Sequence, residues 1–139
     1  MDYLTNSIED ALKSSVKLIL VIGRPGSGKS KVVAAYSKKS GIPVIDLSKI
    51  ITNDSEDLKK TMKSFIENYR FDILLLDNKR ALYQTMETAE LMDLLKELSE
   101  KKIVIATWNG YIVDGQLSHI VNGKEDVYPV DGSYQYIIV

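Results

Sequence analysis

A glycine-rich segment near the amino end of the chain most constrains its fold. It follows an apolar run from Lys17 to Ile22 and reads Gly23-Arg24-Pro25-Gly26-Ser27-Gly28-Lys29-Ser30. The apolar run predicts a strand buried on both faces, and the helix formers up to Lys39 predict a helix directly after the segment. Glycines at fixed positions let the backbone turn with its N–H groups pointing inward, so that the turn and the helix N-terminus can hold an anion.

The spacing of this segment matches the G-x-x-x-x-G-K-[ST] pattern of a phosphate-binding loop between a strand and a helix. We therefore predict that residues 23–30 bind a nucleotide, either ATP or another nucleoside triphosphate. In this pattern Lys29 reaches the outer phosphates and takes part in catalysis, while Ser30 places its hydroxyl on Mg²⁺. The alternative is a glycine-rich turn that holds no ligand.

Strand and helix patterns alternate along the first 110 residues. The strand patterns cover 17–22, 42–47, 71–77 and 102–107, and the helical patterns cover 28–39, 54–69 and 87–101, after a short leading helix from Ser7. Such alternation implies parallel pairing through right-handed crossovers, with helices on both faces of the sheet. The predicted fold class is α/β, a doubly wound parallel sheet of the P-loop type flanked by helices.

The pattern changes after Asn109-Gly110. Three dipeptides typical of hairpin turns, Asp114-Gly115, Asn122-Gly123 and Asp131-Gly132, separate short runs rich in β-formers. They predict a C-terminal β-hairpin or meander whose last residues, 134–139, return to the sheet. We expect residues 1–139 to form a single domain, with an α/β core over 1–110 and a β-rich tail over 111–139 packed on it.

A second acidic position follows the third predicted strand. The sequence Ile73-Leu74-Leu75-Leu76-Asp77 has the form of a Walker B strand, whose terminal carboxylate holds magnesium through water. We therefore predict that Asp77 and Ser30 are the metal-binding residues. A residue that merely ends an apolar strand is the alternative.

The residue after this acid bears on catalysis. Many ATPases of this class carry a glutamate there to polarise the attacking water, whereas this chain has Asn78. An amide can orient water but cannot take its proton. We therefore predict that Asn78 positions water and that hydrolysis is slow or assisted by a partner, with Glu87, Glu90 or a partner subunit as sources of the base.

Asn109 follows the fourth predicted strand and borders the same edge of the sheet. In a functional role it senses the γ-phosphate or holds the attacking water. The alternative is that it only forms an Asn-Gly turn. Arg80 either reaches a phosphate, in cis or across an interface, or lies solvated in a loop. Trp108 either stacks on a base or packs at the edge of the sheet, in the core or in an interface. His119 receives no functional role and is expected at the surface or in a cross-strand contact.

The sequence leaves the preference for adenine or guanine open. The segment Asn78-Lys79-Arg80-Ala81 lacks the aspartate that ends the guanine-specific N-K-x-D motif, so guanine is poorly supported over adenine.

Charge and composition limit the partners. The chain has 18 Lys and Arg against 19 Asp and Glu, a net charge of -1, so no overall field attracts nucleic acid, although a direct contact stays open. The longest apolar run is too short to cross a membrane, and the first residues do not resemble a secretory signal. We expect a cytoplasmic protein without membrane contact.

The ensemble resembles a known family. Leu74-Leu75-Leu76-Asp77-Asn78, Ala106-Thr107-Trp108-Asn109-Gly110 and Tyr128-Pro129-Val130-Asp131, together with the loop, resemble BrxF, the small P-loop protein of type 3 BREX phage-defence systems. The likeness covers almost the whole chain. It implies a nucleotide-dependent accessory subunit with protein partners: a larger ATPase, a DNA methyltransferase and a phosphatase-like protein that restrict phage DNA. Whether the chain also forms a homo-oligomer stays open.

Three functions are compatible with these residues. The first is an ATPase or switch subunit with weak or partner-activated hydrolysis, and the second is a nucleotide-binding interaction module without turnover. The third is a small-molecule kinase that uses Asp46 as the substrate base. The kinase is disfavoured because such enzymes usually have a lid with several arginines, and Arg80 is the one arginine after Asp77.

Overall fold

Seven strands and three helices make up the part of the chain that the computed structural model describes, namely residues 13, 16–24, 26–46, 58–77, 88–121 and 124–139. The strands are β1 (Leu18–Gly23), β2 (Val44–Ile45), β3 (Ile73–Leu76), β4 (Ile103–Val113), β5 (Gln116–Val121), β6 (Lys124–Pro129) and β7 (Gln135–Ile138). The helices are α1 (Lys29–Ser40), α2 (Leu58–Glu67) and α3 (Thr88–Leu98). The predicted leading helix lies outside the described residues except for Lys13, which is helical.

Five strands form a parallel sheet in the order β2-β3-β4-β1-β7. The registers place Leu76 opposite Ala106 and Gly23 opposite Asn109. Strand β4 therefore separates β1, which leads into the glycine-rich loop, from β3, which leads into Asp77. The predicted α/β fold with a parallel sheet is confirmed, and the last strand returns to the sheet beside β1, as the sequence predicted.

Helices cover both faces of this sheet because side chains alternate along each strand. On one face α1 packs against alternate strand residues, in a cluster that includes Ile19, Val21, Val33, Tyr36, Leu75 and Ile105. On the other face α2 and α3 pack against the intervening residues, in a cluster that includes Leu20, Ile22, Met62, Ile66, Leu74, Leu91, Leu95 and Leu98. Burial of each aliphatic side chain contributes roughly 1.5–3 kcal/mol to the free energy of folding. The packed sheet therefore holds the loops at its carboxyl edge in position.

Strand β4 is longer than the sequence predicted. It continues to Val113, and its second half pairs with β5, which pairs in turn with β6 in an antiparallel meander. Asn109-Gly110 therefore lies inside a strand, and the turn that we considered for it is wrong. Position 110, where we divide the core from the tail, also lies within β4.

The close approach of β5 explains the glycine at position 110. A Cβ atom there would overlap the carbonyl oxygen of Ser118 and lie 2.9 Å from its carbonyl carbon. Only glycine fits without moving one of the two strands.

The three turn dipeptides have different outcomes. Asp114-Gly115 joins β4 to β5 with φ angles of 53° and 73°, so the predicted two-residue hairpin turn is confirmed. Asp131-Gly132 is a turn, in which Asp131 Oδ1 accepts the Ser133 N–H at 3.0 Å. It leads from β6 to β7, which do not pair with each other, so a hairpin at this position is wrong. Asn122-Gly123 lies outside the described residues.

Trp108 belongs to the core. Its side chain is fully buried, its ring lies 4.5 Å from that of His119 and 5.9 Å from that of Tyr128, and its Nε1–H donates to the Ser118 carbonyl at 3.1 Å. Base stacking by Trp108 is therefore wrong, because no ring face reaches solvent. His119, which is 1% exposed, makes the predicted cross-strand contact and is not a surface residue.

None of the helices in the described part of the chain is both long enough and apolar enough to cross a membrane.

Candidate functional site

The predicted site residues collect at the carboxyl edge of the parallel sheet. Strand β1 ends at Gly23, Asp77 directly follows β3, and Asn109 on β4 lies opposite Gly23. Because parallel strands end at the same edge, three segments that are distant in sequence meet there.

The glycine-rich segment forms a tight turn around one carbonyl group. The Ser27 N–H donates to the Arg24 carbonyl at 3.0 Å, and Lys29 Nζ donates to the same carbonyl at 2.9 Å. Gly26 and Gly28 have φ angles of 84° and 101°, a region that residues with a side chain rarely adopt. The two glycines at the centre of the motif are thus required by the turn itself.

Gly23 is required for another reason. A Cβ atom at this position would overlap the Ser27 hydroxyl and would lie 2.8 Å from the carbonyl oxygen of Val139. A side chain here would push the loop away from β1 or displace the end of β7.

The first turn of α1 suits an anion. The helix begins at Lys29, its N-cap is Gly28, and its first turn contains no acidic residue. The first N–H groups of a helix have no intrahelical partner and carry the positive end of the helix dipole. A phosphate group held by the turn would therefore accept hydrogen bonds that no capping side chain takes. Pro25 lies outside the described residues.

Lys29 is held in the protein with little access to water. Its side chain is 7% exposed, and this burial lowers the pKa of the ammonium group, while the negative charge of Asp77 partly opposes that change. A buried cation is unfavourable unless a negative charge lies close to it. The phosphates of a nucleotide would supply that charge.

Asp77 joins the loop to the sheet. Its Oδ1 atom accepts hydrogen bonds from Ser30 Oγ at 3.0 Å and from Thr107 Oγ1 at 3.3 Å, and its N–H donates to the Ile45 carbonyl at 3.1 Å. Ser30 and Asp77, 47 positions apart in sequence, are thus in direct contact. A hydroxyl and a carboxylate side by side are oxygen ligands of the kind that Mg²⁺ binds together with phosphate oxygens. These two residues therefore fit the predicted metal.

Sequence reasoning missed Thr107. The residue lies on β4, is 2% exposed and belongs to the same hydrogen-bonded group as Ser30 and Asp77. The available signal was a hydroxyl at the carboxyl end of the apolar run Ile103-Val104-Ile105-Ala106, on a strand expected to border the site.

The meander touches the loop. The guanidinium group of Arg24 lies 4.7 Å above the ring centre of Tyr111, two residues beyond Asn109 on β4. A cation over an aromatic face is attracted to it. The second half of β4 therefore contacts the glycine-rich loop through Tyr111.

The structure describes some of the remaining predicted site residues and not others. Asn109 is half-buried beside Gly23, and Asp46 follows β2, half-buried, one strand beyond Asp77. Asn78, Arg80 and Glu87 lie outside the described residues, as does the side chain of Glu90.

Residues 19–117 match the family model of the ATPase family associated with various cellular activities (AAA). In the comparisons with curated proteins and with solved structures, nothing matches. The matched residues run from β1 through the loop and Asp77 to β5 and make up more than half of the chain. The chain is therefore a P-loop protein that belongs to the ATPase family associated with various cellular activities (AAA).

Proposed function

We propose that the protein binds ATP with Mg²⁺ at residues 23–30 and Asp77 and acts as a nucleotide-dependent subunit that hydrolyses ATP slowly on its own. The observation that carries this proposal is the contact between the Ser30 hydroxyl and the Asp77 carboxylate at 3.0 Å, directly beside the uncapped N-terminus of α1. It joins a phosphate-binding element to a metal-binding element.

Each residue has a defined part in this proposal. The backbone N–H groups of the loop and of the first turn of α1 hold the phosphates, and Lys29 neutralises the outer ones. Ser30 and Asp77 hold the metal, which when bound draws negative charge from the phosphate oxygens. Asn109 lies beside the loop and orients the attacking water or contacts the γ-phosphate.

Slow hydrolysis follows from the residue after Asp77. Asn78 stands where related ATPases carry a glutamate, and an amide cannot accept the proton of the attacking water. General-base catalysis contributes typically 10²–10⁴-fold to a rate, so a site without a base of its own should turn over slowly. Glu87, Glu90 or a residue of a partner subunit would complete the site.

The resemblance to BrxF supports a biological setting. It rests on the Asp77-Asn78 ending of the third strand and on residues 106–110 and 128–131. On this basis we propose a cytoplasmic accessory subunit of a BREX-type defence system, whose larger partners use its nucleotide state. A site that lacks its own base suits such a role because a partner can then control turnover.

The first test is calorimetric titration of the purified protein with a non-hydrolysable ATP analogue, with Mg²⁺ and with EDTA, followed by phosphate release from ATP. We expect binding that Mg²⁺ strengthens and little release. Lys29→Ala should abolish binding and remain folded, because Lys29 serves the ligand more than the core. Lys31→Ala, which removes an exposed lysine two positions along α1, is the matched control and should bind normally.

The results separate the alternatives. Retained affinity in a folded Lys29→Ala protein would overturn the site. Brisk phosphate release would overturn slow hydrolysis and indicate a base within the chain. Binding without release, even with the defence partners added, would favour the second candidate, a nucleotide-binding module without turnover, which the asparagine at position 78 also favours.

A further inference from the structure

We infer that Thr107 is a positioning residue for Asp77, holding its carboxylate in the orientation that receives Mg²⁺. The inference rests on the proposed function, because it concerns how the proposed metal-binding carboxylate is prepared. It is carried by the Thr107 Oγ1 to Asp77 Oδ1 hydrogen bond of 3.3 Å inside the protein.

Thr107 lies on a strand with neighbours on both sides. Strand β4 has β1 on one side, where Thr107 lies opposite Val21, and β3 on the other, where Ala106 lies opposite Leu76. A side chain on a central strand with 2% exposure has little freedom to move. The hydroxyl of Thr107 is therefore a fixed donor.

The two hydroxyl groups on Asp77 Oδ1 differ in their surroundings. Ser30 belongs to the first turn of α1 and is exposed, and in the proposed site its oxygen also ligates the metal. Thr107 is buried, so water does not compete for its bond to the carboxylate, although this bond is longer than the one from Ser30, 3.3 Å against 3.0 Å. With Mg²⁺ and nucleotide bound, Ser30 would ligate the metal and Thr107 would keep the carboxylate in place.

Groups that orient a metal-binding side chain act by preorganisation. A carboxylate already held in its binding orientation loses less freedom when the metal arrives, and losing such a partner typically costs 10–100-fold in metal affinity. A threonine with a merely structural role would affect folding, but it would affect nucleotide binding equally with and without metal. The magnesium dependence of binding therefore distinguishes the two roles.

The measured quantity is the magnesium enhancement, defined as the Kd of the non-hydrolysable ATP analogue in EDTA divided by its Kd with saturating Mg²⁺. Thr107→Val keeps the shape of the side chain and removes the donor. We expect its magnesium enhancement to fall about 10-fold, while its affinity in EDTA stays within about twofold of the wild type. Thr107→Ser keeps the hydroxyl and should retain the enhancement.

Two further variants make the comparison sharper. Thr107→Ala differs from Thr107→Ser by the hydroxyl alone, so this pair repeats the test with a smaller side chain if the valine variant does not fold. Ser37→Ala removes another hydroxyl, one that donates to the Ile42 carbonyl at the far end of α1, and should leave the enhancement unchanged.

Each outcome bears on the inference. A folded Thr107→Val or Thr107→Ala protein with wild-type enhancement would overturn it, and so would equal losses with and without Mg²⁺. A serine variant as impaired as the alanine variant would assign the effect to the lost methyl group and also overturn it. A wild-type protein that binds nucleotide without magnesium enhancement would overturn the proposed metal site itself, whereas the other outcomes leave that site intact.

Discussion

Substituting Asp77 by asparagine and by alanine should separate its role in the site from its role in the fold. In the structure Asp77 is 6% exposed and its Oδ1 atom accepts two hydroxyl donors, from Ser30 and from Thr107. Asparagine has the same shape and keeps an oxygen that can accept both bonds, but it carries no charge. Alanine removes the acceptor altogether.

The cost to stability can be worked out donor by donor. In Asp77→Ala the buried hydroxyl of Thr107 loses its hydrogen bond to the carboxylate, and removing the acceptor of such a buried hydrogen bond costs about 1–3 kcal/mol. The hydroxyl of Ser30 is exposed and can bond to water instead, so its contribution is small. We expect Asp77→Ala to lower the free energy of unfolding by about 1–3 kcal/mol and Asp77→Asn to lower it by less than about 1 kcal/mol.

The cost to nucleotide binding should depend on the charge of residue 77, whereas the cost to stability depends on its hydrogen bonds. Asparagine is a poor magnesium ligand because it lacks the charge of the carboxylate, and we expect a cost of the same order as the loss of a group that orients a metal ligand, typically 10–100-fold in metal affinity. Asp77→Asn should therefore lose about 10–100-fold of the magnesium enhancement. Its affinity in EDTA should not fall, because removing a negative charge near the phosphates does not weaken anion binding.

Urea unfolding and calorimetric titration of the ATP analogue, with Mg²⁺ and with EDTA, measure the two effects on the same samples. Equal losses of stability in the asparagine and alanine variants would refute the assignment of the cost to the missing acceptor. An Asp77→Asn protein whose affinity falls equally with and without Mg²⁺ would show that the carboxylate does not serve the metal.

Two other features give predictions about stability. Gly110→Ala forces a methyl group onto the Ser118 carbonyl and should lower the free energy of unfolding in urea by about 3 kcal/mol or more. The matched control Gly115→Ala, at a positive φ in open space, should lower it by about 1–2 kcal/mol. Equal costs would contradict the proposed overlap. Burial raises the pKa of Tyr134 to about 12, so the folded protein keeps a proton that the unfolded chain loses near pH 10, and stability should fall between about pH 10 and pH 12. Tyr134→Phe should remove about 1–3 kcal/mol of that alkaline loss, whereas Tyr136→Phe, at an exposed site, should remove only the smaller part that the charge of Tyr136 contributes.

The loop and the sheet were predictable because their signals are local. The fixed spacing from Gly23 to Ser30 and the apolar runs before the loop and before Asp77 are determined by backbone geometry and burial over a few residues. The helical pattern over residues 54–69 was equally clear, and the structure places α2 there, with Met62 and Ile66 buried and Lys63 exposed.

The errors arose where distant segments decide the structure. Asn109-Gly110 resembles a turn locally, but pairing of β4 with β5 extends the strand through it, and the close approach of Ser118 requires the glycine. Trp108 resembles a ligand-binding residue at a strand end, but the meander folds over it and buries it. Thr107 gave little local signal because its role depends on the register between β3 and β4.

The contact of Val139 with the loop has a practical consequence for preparing the protein. The N–H of Val139 donates to the Ile22 carbonyl at 2.8 Å, and its own carbonyl oxygen lies close to Gly23. Any residues joined after Val139, such as a purification tag or a fluorescent fusion, would start beside Gly23, the first residue of the glycine-rich turn. A carboxyl-terminal tag could therefore weaken binding without any change to the site residues, and binding assays should include a version from which the tag has been cleaved.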